Sequence, residues 1–319
     1  MDWTPGEVQQ AVSELAGDIL AEGDQAWGAL REAELLDLDD LLDIASLLIE
    51  VGRSGARVPV LPTLVLGAPI RAAGAAAGEV LTGGLLEPSS RDPRHPETRV
   101  QDGLIHGRKI CVPAADQASR IVLPTRSGVY AAELSACDVE LQEGTDGDPL
   151  GIVTLDGVPG ERLGGDEVLN RWLSWVDVGI SALLLGLSRK ALELTAAYVT
   201  ERTQFGRPVG SFQAVQQRAA DAWIHTQVME VSLWQAAWRV QQGLDSVRER
   251  AIARYWAAEG SHFVCAAAQH LHGGFGFDRD YELHRYFLAA RQHEFILGGA
   301  NHQLEQLGAL LAEGTTGGG

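Results

Sequence analysis

The chain has 319 residues, 45% of them hydrophobic, enough to bury a full core and to divide into more than one domain. Twenty-five basic against forty-three acidic residues give a formal net charge of −18, which opposes binding to nucleic-acid phosphates and to anionic lipid surfaces. The three cysteines, Cys111, Cys137 and Cys265, lie far apart without CxxC or Cys/His spacing, and read as buried thiols of a reducing compartment rather than a metal site or disulfide framework.

The opening residues, MDWTPGEVQQ, lack a basic region followed by an apolar run, so no signal peptide is expected and the location reads as cytoplasmic. From Thr4 to about Ile70 the pattern is helical. Thr4 is expected to cap a helix with Pro5 at its first position, and Val8, Val12, Leu15 and Leu20 form one face. A second helix over about 39–51 takes a strongly apolar side from Leu41, Leu42, Ile44, Leu47, Leu48 and Ile49. Between about 72 and 165 the period shortens: Val100, Leu104, Ile105, Ile110 and Val112, then Ile121, Val122 and Leu123, then Val129 and Tyr130, then Ile152, Val153 and Leu155 form short apolar runs. Asp102-Gly103, Ser127-Gly128 and Asp156-Gly157 punctuate them as turns, which predicts a small antiparallel β domain between helical ones. No GxGxxG follows a strand and no P-loop is present, so nothing supports a Rossmann-type nucleotide site.

The C-terminal half reads as helices over about 166–201, 211–243, 246–271, 280–295 and 299–313. Its longest apolar run, Val178 to Leu187, is too short to span a bilayer and meets Arg189 and Lys190 at once, as a buried bundle helix would. In the second of these helices Phe212, Val215, Ala219, Ala222, Thr226, Met229, Leu233, Ala236 and Val240 make one stripe. Trp234 and Trp238 give it a second apolar face, the expected place of a subunit contact. Together with Trp172, Trp175, Trp223 and Trp256 they read as bundle core or interface rather than a cofactor box. The domain reading is therefore a shortened N-terminal helical domain (1–72), a β domain (73–165), an up-and-down helical domain (166–313) and a flexible tail from Gly314 to Gly319.

The least ordinary run is RTQFGRPVGSFQAVQ at 202–216. Gly206, Pro208 and Gly210 are expected to stop one helix and start the next, with Arg202 and Gln204 projecting from the end of the first. Taken alone, Arg202 would as readily be a helix cap and Phe205 a core residue. The order Arg-x-x-Phe-Gly, then Phe-Gln and a helix, then His-Gly-Gly-Phe-Gly-Phe at 272–277, resembles the C-terminal helical domain of acyl-CoA dehydrogenases over about 160–312. The resemblance implies that family's fold, mainly α with an inserted β domain, and FAD as cofactor. It also implies that Arg202, Gln204, Phe205, His270, Gly273 and Gly274 reach across a dimer interface to the pyrophosphate and adenosine end of a neighbouring subunit's FAD.

Departures from the family lie elsewhere. Its Thr-Glu-Pro followed by Gly-Ser-Asp reads here Leu86-Glu87-Pro88-Ser89-Ser90-Arg91-Asp92, and its Gly-x-Lys-x-Trp-Ile-Thr strand reads Gly107-Arg108-Lys109-Ile110-Cys111-Val112-Pro113. Cysteine for the aromatic and proline for the hydroxyl leave a flavin ring without stacking and hydrogen-bond partners, so this β domain is not expected to hold a flavin by itself. Acyl-CoA dehydrogenation removes a proton α to the thioester and passes the β hydride to flavin, which requires a carboxylate base opposite the ring. The family's two base positions correspond to Val176 and, within Leu297-Gly298-Gly299-Ala300, to Gly298, so no catalytic base is expected in this chain. The nearby Asp177 and Glu294 read as salt-bridging or capping carboxylates. His270, His272, His284, His293 and His302 lack an accompanying carboxylate-rich site and give no metal assignment, while His302 stands where the family often has a glutamate or glutamine touching its own FAD.

The losses are one-sided: groups lent to a neighbour remain, and groups for the chain's own flavin and base are gone. This resembles the shorter, base-lacking chain of actinobacterial heteromeric acyl-CoA dehydrogenases, which pair unlike chains as α2β2 and act on steroid side-chain CoA thioesters; the Leu-His-Arg-Tyr-Phe at 283–287 adds to the likeness. The resemblance implies a longer catalytic partner that binds most of the acyl-CoA, with FAD shared between the two chains and neither nucleic acid nor membrane as partner. Two other readings stand beside it: a noncatalytic scaffold on the same fold, and a self-sufficient dehydrogenase using Asp177 or Glu294 as base.

Overall fold

The computed structural model describes residues 6–90 and 92–316. The expected Thr4–Pro5 helix start and the end of the glycine tail lie outside the described residues. The chain folds into two compact units, one drawn from residues 1–23, 40–56 and 177–319, the other from 24–39 and 57–176.

The first unit is helical. It contains α1 (Glu7–Leu20), α3 (Leu41–Ser54), most of α5 (Asp166–Glu201), α6 (Gln213–Gln241), α7 (Val247–His272), α8 (Leu283–Glu294) and α9 (Gly299–Thr316). The short α2 (Trp27–Glu32) and α4 (Ala68–Ala72) belong to the second unit. In α1 the buried line is Val12, Ala16 and Leu20; of the expected face, Leu15 lies one residue off that line and turns outward, and Val8, on the line but in the first turn of the helix, is exposed. Asp40 caps α3, its carboxylate accepting from the Leu42 N–H at 2.7 Å. Over one 18-residue window α5 has a mean hydropathy of 1.3, enough by length and composition to cross a membrane, but 67% of that window is buried inside the protein.

Helices α3 and α5 cross where Gly52 faces Gly186. A Cβ on Gly186 would meet the Ile49 carbonyl oxygen at 2.0 Å, and one on Gly52 the Leu183 carbonyl oxygen at 2.4 Å. Both obstacles are backbone, which cannot swing aside as a side chain would. Gly186→Ala should therefore cost at least the ~1–3 kcal/mol of ordinary overpacking, read as a lowered urea midpoint; an unchanged midpoint would show that the helices separate freely.

Helix α6 corrects one expectation. Trp234 is only 8% exposed and Trp238 is half-buried, so that face turns inward within the helical unit, where α6 lies against α3 and α7. The large apolar side chains that α6 does expose are Trp223 (56%), Ile224 and Val231.

The second unit carries two four-stranded sheets. One has the order β1 (Leu81–Gly83), β4 (Arg120–Thr125), β5 (Gly128–Glu133), β8 (Glu161–Gly164); the other β2 (Arg99–Gln101), β3 (Leu104–Pro113), β7 (Pro149–Pro159), β6 (Asp138–Glu143). All pairings are antiparallel except that of β1 with β4. Ile121, Leu123 and Tyr130 of the first sheet share one core with Ile105, Val112, Val153 and Leu155 of the second. Asp102-Gly103 turns β2 into β3 with both φ positive (52° and 79°), as a two-residue hairpin loop requires. The turn from β4 to β5 is expected at Ser127-Gly128 and falls at Arg126-Ser127, with Gly128 opening β5 opposite Thr125. Asp156-Gly157 is not a turn: it lies within β7 as a bulge, with Asp156 opposite His106 and Val158 opposite Ile105, and Gly157 takes up the extra residue at φ 72°. The chain reverses instead at Asp146-Gly147, between β6 and β7.

Candidate functional site

The run after α5 is more than a helix junction. The Arg202 N–H still donates to the Tyr198 carbonyl (2.9 Å), ending the helix, and the Arg202 carbonyl accepts from the Val209 N–H (2.7 Å). Between these two bonds the chain makes a miniature hairpin, β9 (Thr203–Gln204) on β10 (Arg207–Pro208), whose two-residue tip is Phe205 (φ 53°) and Gly206 (φ 78°). A glycine at the second tip position is a hairpin signal; a phenylalanine in the left-handed region at the first is costly, and the sequence gives no warning of it. Phe205 is 93% exposed, held only at its edge by Phe212 (ring centroids 6.3 Å apart), while the Arg207 guanidinium lies over the Phe212 ring at 4.1 Å. Arg202 and Gln204 are exposed as well.

The second motif lies at the C-terminus of α7. Gly273, at φ 60° and ψ −137°, breaks the helix and a 3-10 turn runs from Gly273 to Phe277. Nothing stands within 4 Å of where a Cβ on Gly273 or Gly274 would be, whereas one on Gly276 would meet the Gln269 carbonyl oxygen at 2.7 Å. The first two glycines leave open space and the third is a packing residue. His270 is exposed beside them.

Four rings bring the two motifs together. Tyr198, on the last turn of α5, stacks on His272 (centroids 4.4 Å, 22° between planes) and on Phe275 (6.0 Å), and Tyr281 packs against both His272 and Phe275 at 5.2 Å. The six residues expected to contact a neighbour's cofactor, Arg202, Gln204, Phe205, His270, Gly273 and Gly274, thus belong to one end of the helical unit. An exposed guanidinium, an amide and a glycine turn open to close approach suit a phosphate-bearing dinucleotide. The residues at this end fit the phosphate-bearing part of FAD.

The chain's own ring-facing segments are built differently. Glu87 and Lys109, one charged residue surviving from each of the two family motifs, pair with each other in the core, Nζ to Oε1 at 2.5 Å, with both side chains buried. Glu87 also accepts from the Thr98 hydroxyl (2.6 Å), the Thr98 N–H (3.1 Å) and the Glu97 N–H (2.6 Å). These donors, with Lys109, outweigh burial and hold the Glu87 carboxyl below its usual range, while burial brings the Lys109 ammonium down to about 8. Cys111 falls in an irregular stretch of β3 between Lys109 and Val112, at φ 53° and exposed, contrary to the expectation of three buried thiols. Cys137 is partly buried, and Cys265 is buried, its thiol pushed up to about 12. A small side chain on a left-handed residue offers no stacking surface, so a flavin ring does not fit at this position.

The two positions at which the resemblance places the family's base hold Val176 and Gly298. Val176 is fully buried. Gly298 has φ 104°, and a Cβ there would meet the His302 ring at 2.6 Å, so the backbone itself favours glycine. The two neighbouring acids are engaged in ion pairs. Asp177 accepts from Arg250 at 2.6 Å and lies 3.9 Å from Arg254, whose side chain is fully buried and also donates to the Ile296 carbonyl. Glu294 is buried and accepts from Arg291 at 2.6 Å, with His262 at 3.6 Å.

The β-containing unit still holds a cavity of about 750 Å³, lined by Leu36, Thr63, Arg71, Trp172 and Trp175 among others, despite the short N-terminal segment. Arg71 forms one wall by donating to the Leu36 and Leu38 carbonyls (3.1 and 2.8 Å), and the Trp172 indole is fixed by its N–H bond to the Val65 carbonyl (3.2 Å).

Residues 164–311 match the C-terminal domain of acyl-CoA dehydrogenases. Over 335 aligned positions the chain is 32% identical to acyl-CoA dehydrogenase FadE28 of Mycobacterium tuberculosis, covering 97% of this chain and 98% of that one. The chain belongs to the acyl-CoA dehydrogenase family. Members of this family are oxidoreductases that use FAD. Among solved structures it resembles a chain of a variant of the Tcur3481–Tcur3483 steroid ACAD, at TM-score 0.91 and 32% identity, covering 98% of this acyl-CoA dehydrogenase family chain and 100% of that one. It resembles a chain of the ChsE4–ChsE5 complex from Mycobacterium tuberculosis to the same TM-score, 0.91, at 29% identity and 98% and 99% coverage. Both of these structures are of complexes of two unlike chains.

Proposed function

We propose that this protein is the base-lacking subunit of a heteromeric acyl-CoA dehydrogenase. Its helical unit completes the FAD site of a longer catalytic partner in a cytoplasmic α2β2 assembly that desaturates a bulky, steroid side-chain acyl-CoA held mainly by the partner. The observation that carries the reading is the contrast between two places. Arg202, Gln204 and Phe205 stand exposed beside the open Gly273–Gly274 turn, while the base positions hold Val176 and Gly298. The likeness to chains of the steroid ACAD and of ChsE4–ChsE5 supports the partner and the substrate class.

FAD, when bound, supplies the hydride acceptor. On this reading Arg202 and Gln204 donate to its phosphate oxygens, Gly273 and Gly274 let the backbone approach it, His270 meets the ribose or adenine, and Phe205 lies against the partner. Coexpression with the neighbouring dehydrogenase gene, followed by measurement of flavin per heterodimer, tests it: the complex should be yellow and this chain alone colourless. Arg202→Ala in the complex should weaken FAD binding about tenfold or more, the value of a charge-assisted hydrogen bond, while leaving the melting temperature in place because the side chain is exposed. A yellow, active homo-oligomer of this chain would end the proposal, and a stable complex devoid of flavin would favour a scaffold role. Use of Asp177 or Glu294 as base is disfavoured by the ion pairs in which both are engaged.

A further inference from the structure

We infer that His272 is a positioning residue that sets Arg202 in register with the Gly273–Gly274 turn, so that both act on one ligand; the inference rests on the reading above. His272 is nearly fully buried and immediately precedes the turn. Its Nδ1 lies 2.8 Å from the Ala268 carbonyl, which can only accept, so Nδ1 carries the proton and Nε2 is left to accept from the Tyr281 hydroxyl at 3.1 Å. Burial, only partly offset by the Ala268 bond, keeps the imidazole below its ordinary value and hence neutral. Both ring nitrogens are thus satisfied and the ring plane is fixed.

That fixed plane is what Tyr198 stacks on. The Tyr198 carbonyl accepts the Arg202 N–H, so the tyrosine carrying the stack is also the residue to which the arginine's backbone is tied. The route from the glycine turn to the guanidinium therefore runs from His272 through its ring face to Tyr198 and on to Arg202. Tyr281 meets the His272 ring at its Nε2 edge and is itself held, its carbonyl lying 2.7 Å from His284 Nδ1. Phe275, within the turn, stacks on Tyr198 and meets Tyr281 edge to face, so both tyrosines hold the turn as well as the His272 ring. None of these rings needs to touch the ligand. Their effect is to fix the distance between two groups that do.

A double-mutant cycle on the assembled heteromer tests this, with FAD titrated into the flavin-depleted complex and followed by quenching of its fluorescence. His272→Ala is expected to weaken FAD about tenfold or more when Arg202 is present and less than about twofold when Arg202→Ala is already made, because a positioning effect has nothing left to position. A purely structural role would give factors that multiply. Tyr281→Phe, which removes one hydrogen bond and keeps the ring, should show the same pattern at smaller amplitude, and it decides the matter if His272→Ala fails to assemble. Multiplicative effects, or unchanged FAD affinity in an assembled His272→Ala complex, would overturn the inference while leaving the shared-site reading intact. A wild-type complex that binds no FAD would overturn both.

Discussion

Asp177→Asn should destabilise the helical unit by about 3–5 kcal/mol, the usual consequence of removing one partner from a buried ion pair. Asp177 is the carboxylate nearest both Arg250 and Arg254, at 2.6 and 3.9 Å. The Nε atoms of both arginines, and Nη1 of Arg254, are buried without hydrogen-bond partners, so no spare acceptor is at hand to compensate. The amide keeps the shape and one acceptor oxygen but not the charge, and two buried guanidiniums would face a neutral group. Urea unfolding should show a lower midpoint at unchanged slope. The same variant separates this account from a self-sufficient enzyme: a general base replaced by its amide would abolish turnover with stability intact. Full stability with lost activity would sink the structural role assigned to Asp177.

In the β-containing unit, Glu87→Gln should cost about 3–5 kcal/mol and Lys109→Met distinctly less, about 1–3 kcal/mol. The asymmetry follows from what each change leaves behind. Without Lys109, the Glu87 carboxylate keeps three donors from Glu97 and Thr98; without the Glu87 charge, the buried Lys109 ammonium keeps the Pro124 carbonyl at 2.8 Å and a neutral amide. Because the folded-state value of Glu87 is depressed, its contribution is complete above the unfolded carboxylate range, near ~4.3, and is lost as pH falls through the folded value. The Glu87→Gln variant should accordingly lose part of the wild type's sensitivity to acid. Equal losses for the two variants, or the reverse order, would show that the three backbone and hydroxyl donors do not sustain the carboxylate alone.

This pair also explains a pattern that the sequence displays without its cause. Of the two family segments that face a flavin ring, the chain keeps Glu87, Pro88, Gly107 and Lys109 and has cysteine and proline at 111 and 113. Glu87 and Lys109 are joined to each other in the core, and a Cβ on Gly107 would strike the Thr98 hydroxyl oxygen at 2.3 Å. What remains is what the β unit needs to fold. The exposed, left-handed Cys111 sits where a flavin-binding chain needs an aromatic.

Much was legible in the linear sequence because it depends on local physics. Apolar periodicity placed the long helix over about 166–201, observed as Asp166–Glu201, and Asp102-Gly103 marked a hairpin because Asp and Gly tolerate the positive φ that a two-residue loop demands. The two motifs around Arg202 and Gly273 are short strings whose residue types carry their chemistry. Other features needed the fold. Asp156-Gly157 has the letters of a turn, but the partner strand β3 continues past it and makes it a bulge. Trp234 has the spacing of a second face, but it is buried in a helix that packs on α3 and α7 of the same unit.

The sequence by itself determined which groups this protein has to offer: an arginine, a glutamine and a pair of glycines at two motifs, and Val176 and Gly298 where the resemblance places a base. Only the tertiary structure decided that those motifs meet, since Tyr198 lies far from His272 and Tyr281 in the chain and no spacing rule connects them. Periodicity and turn chemistry act over a few residues, whereas stacked rings and buried ion pairs join residues that become neighbours only when the chain has folded.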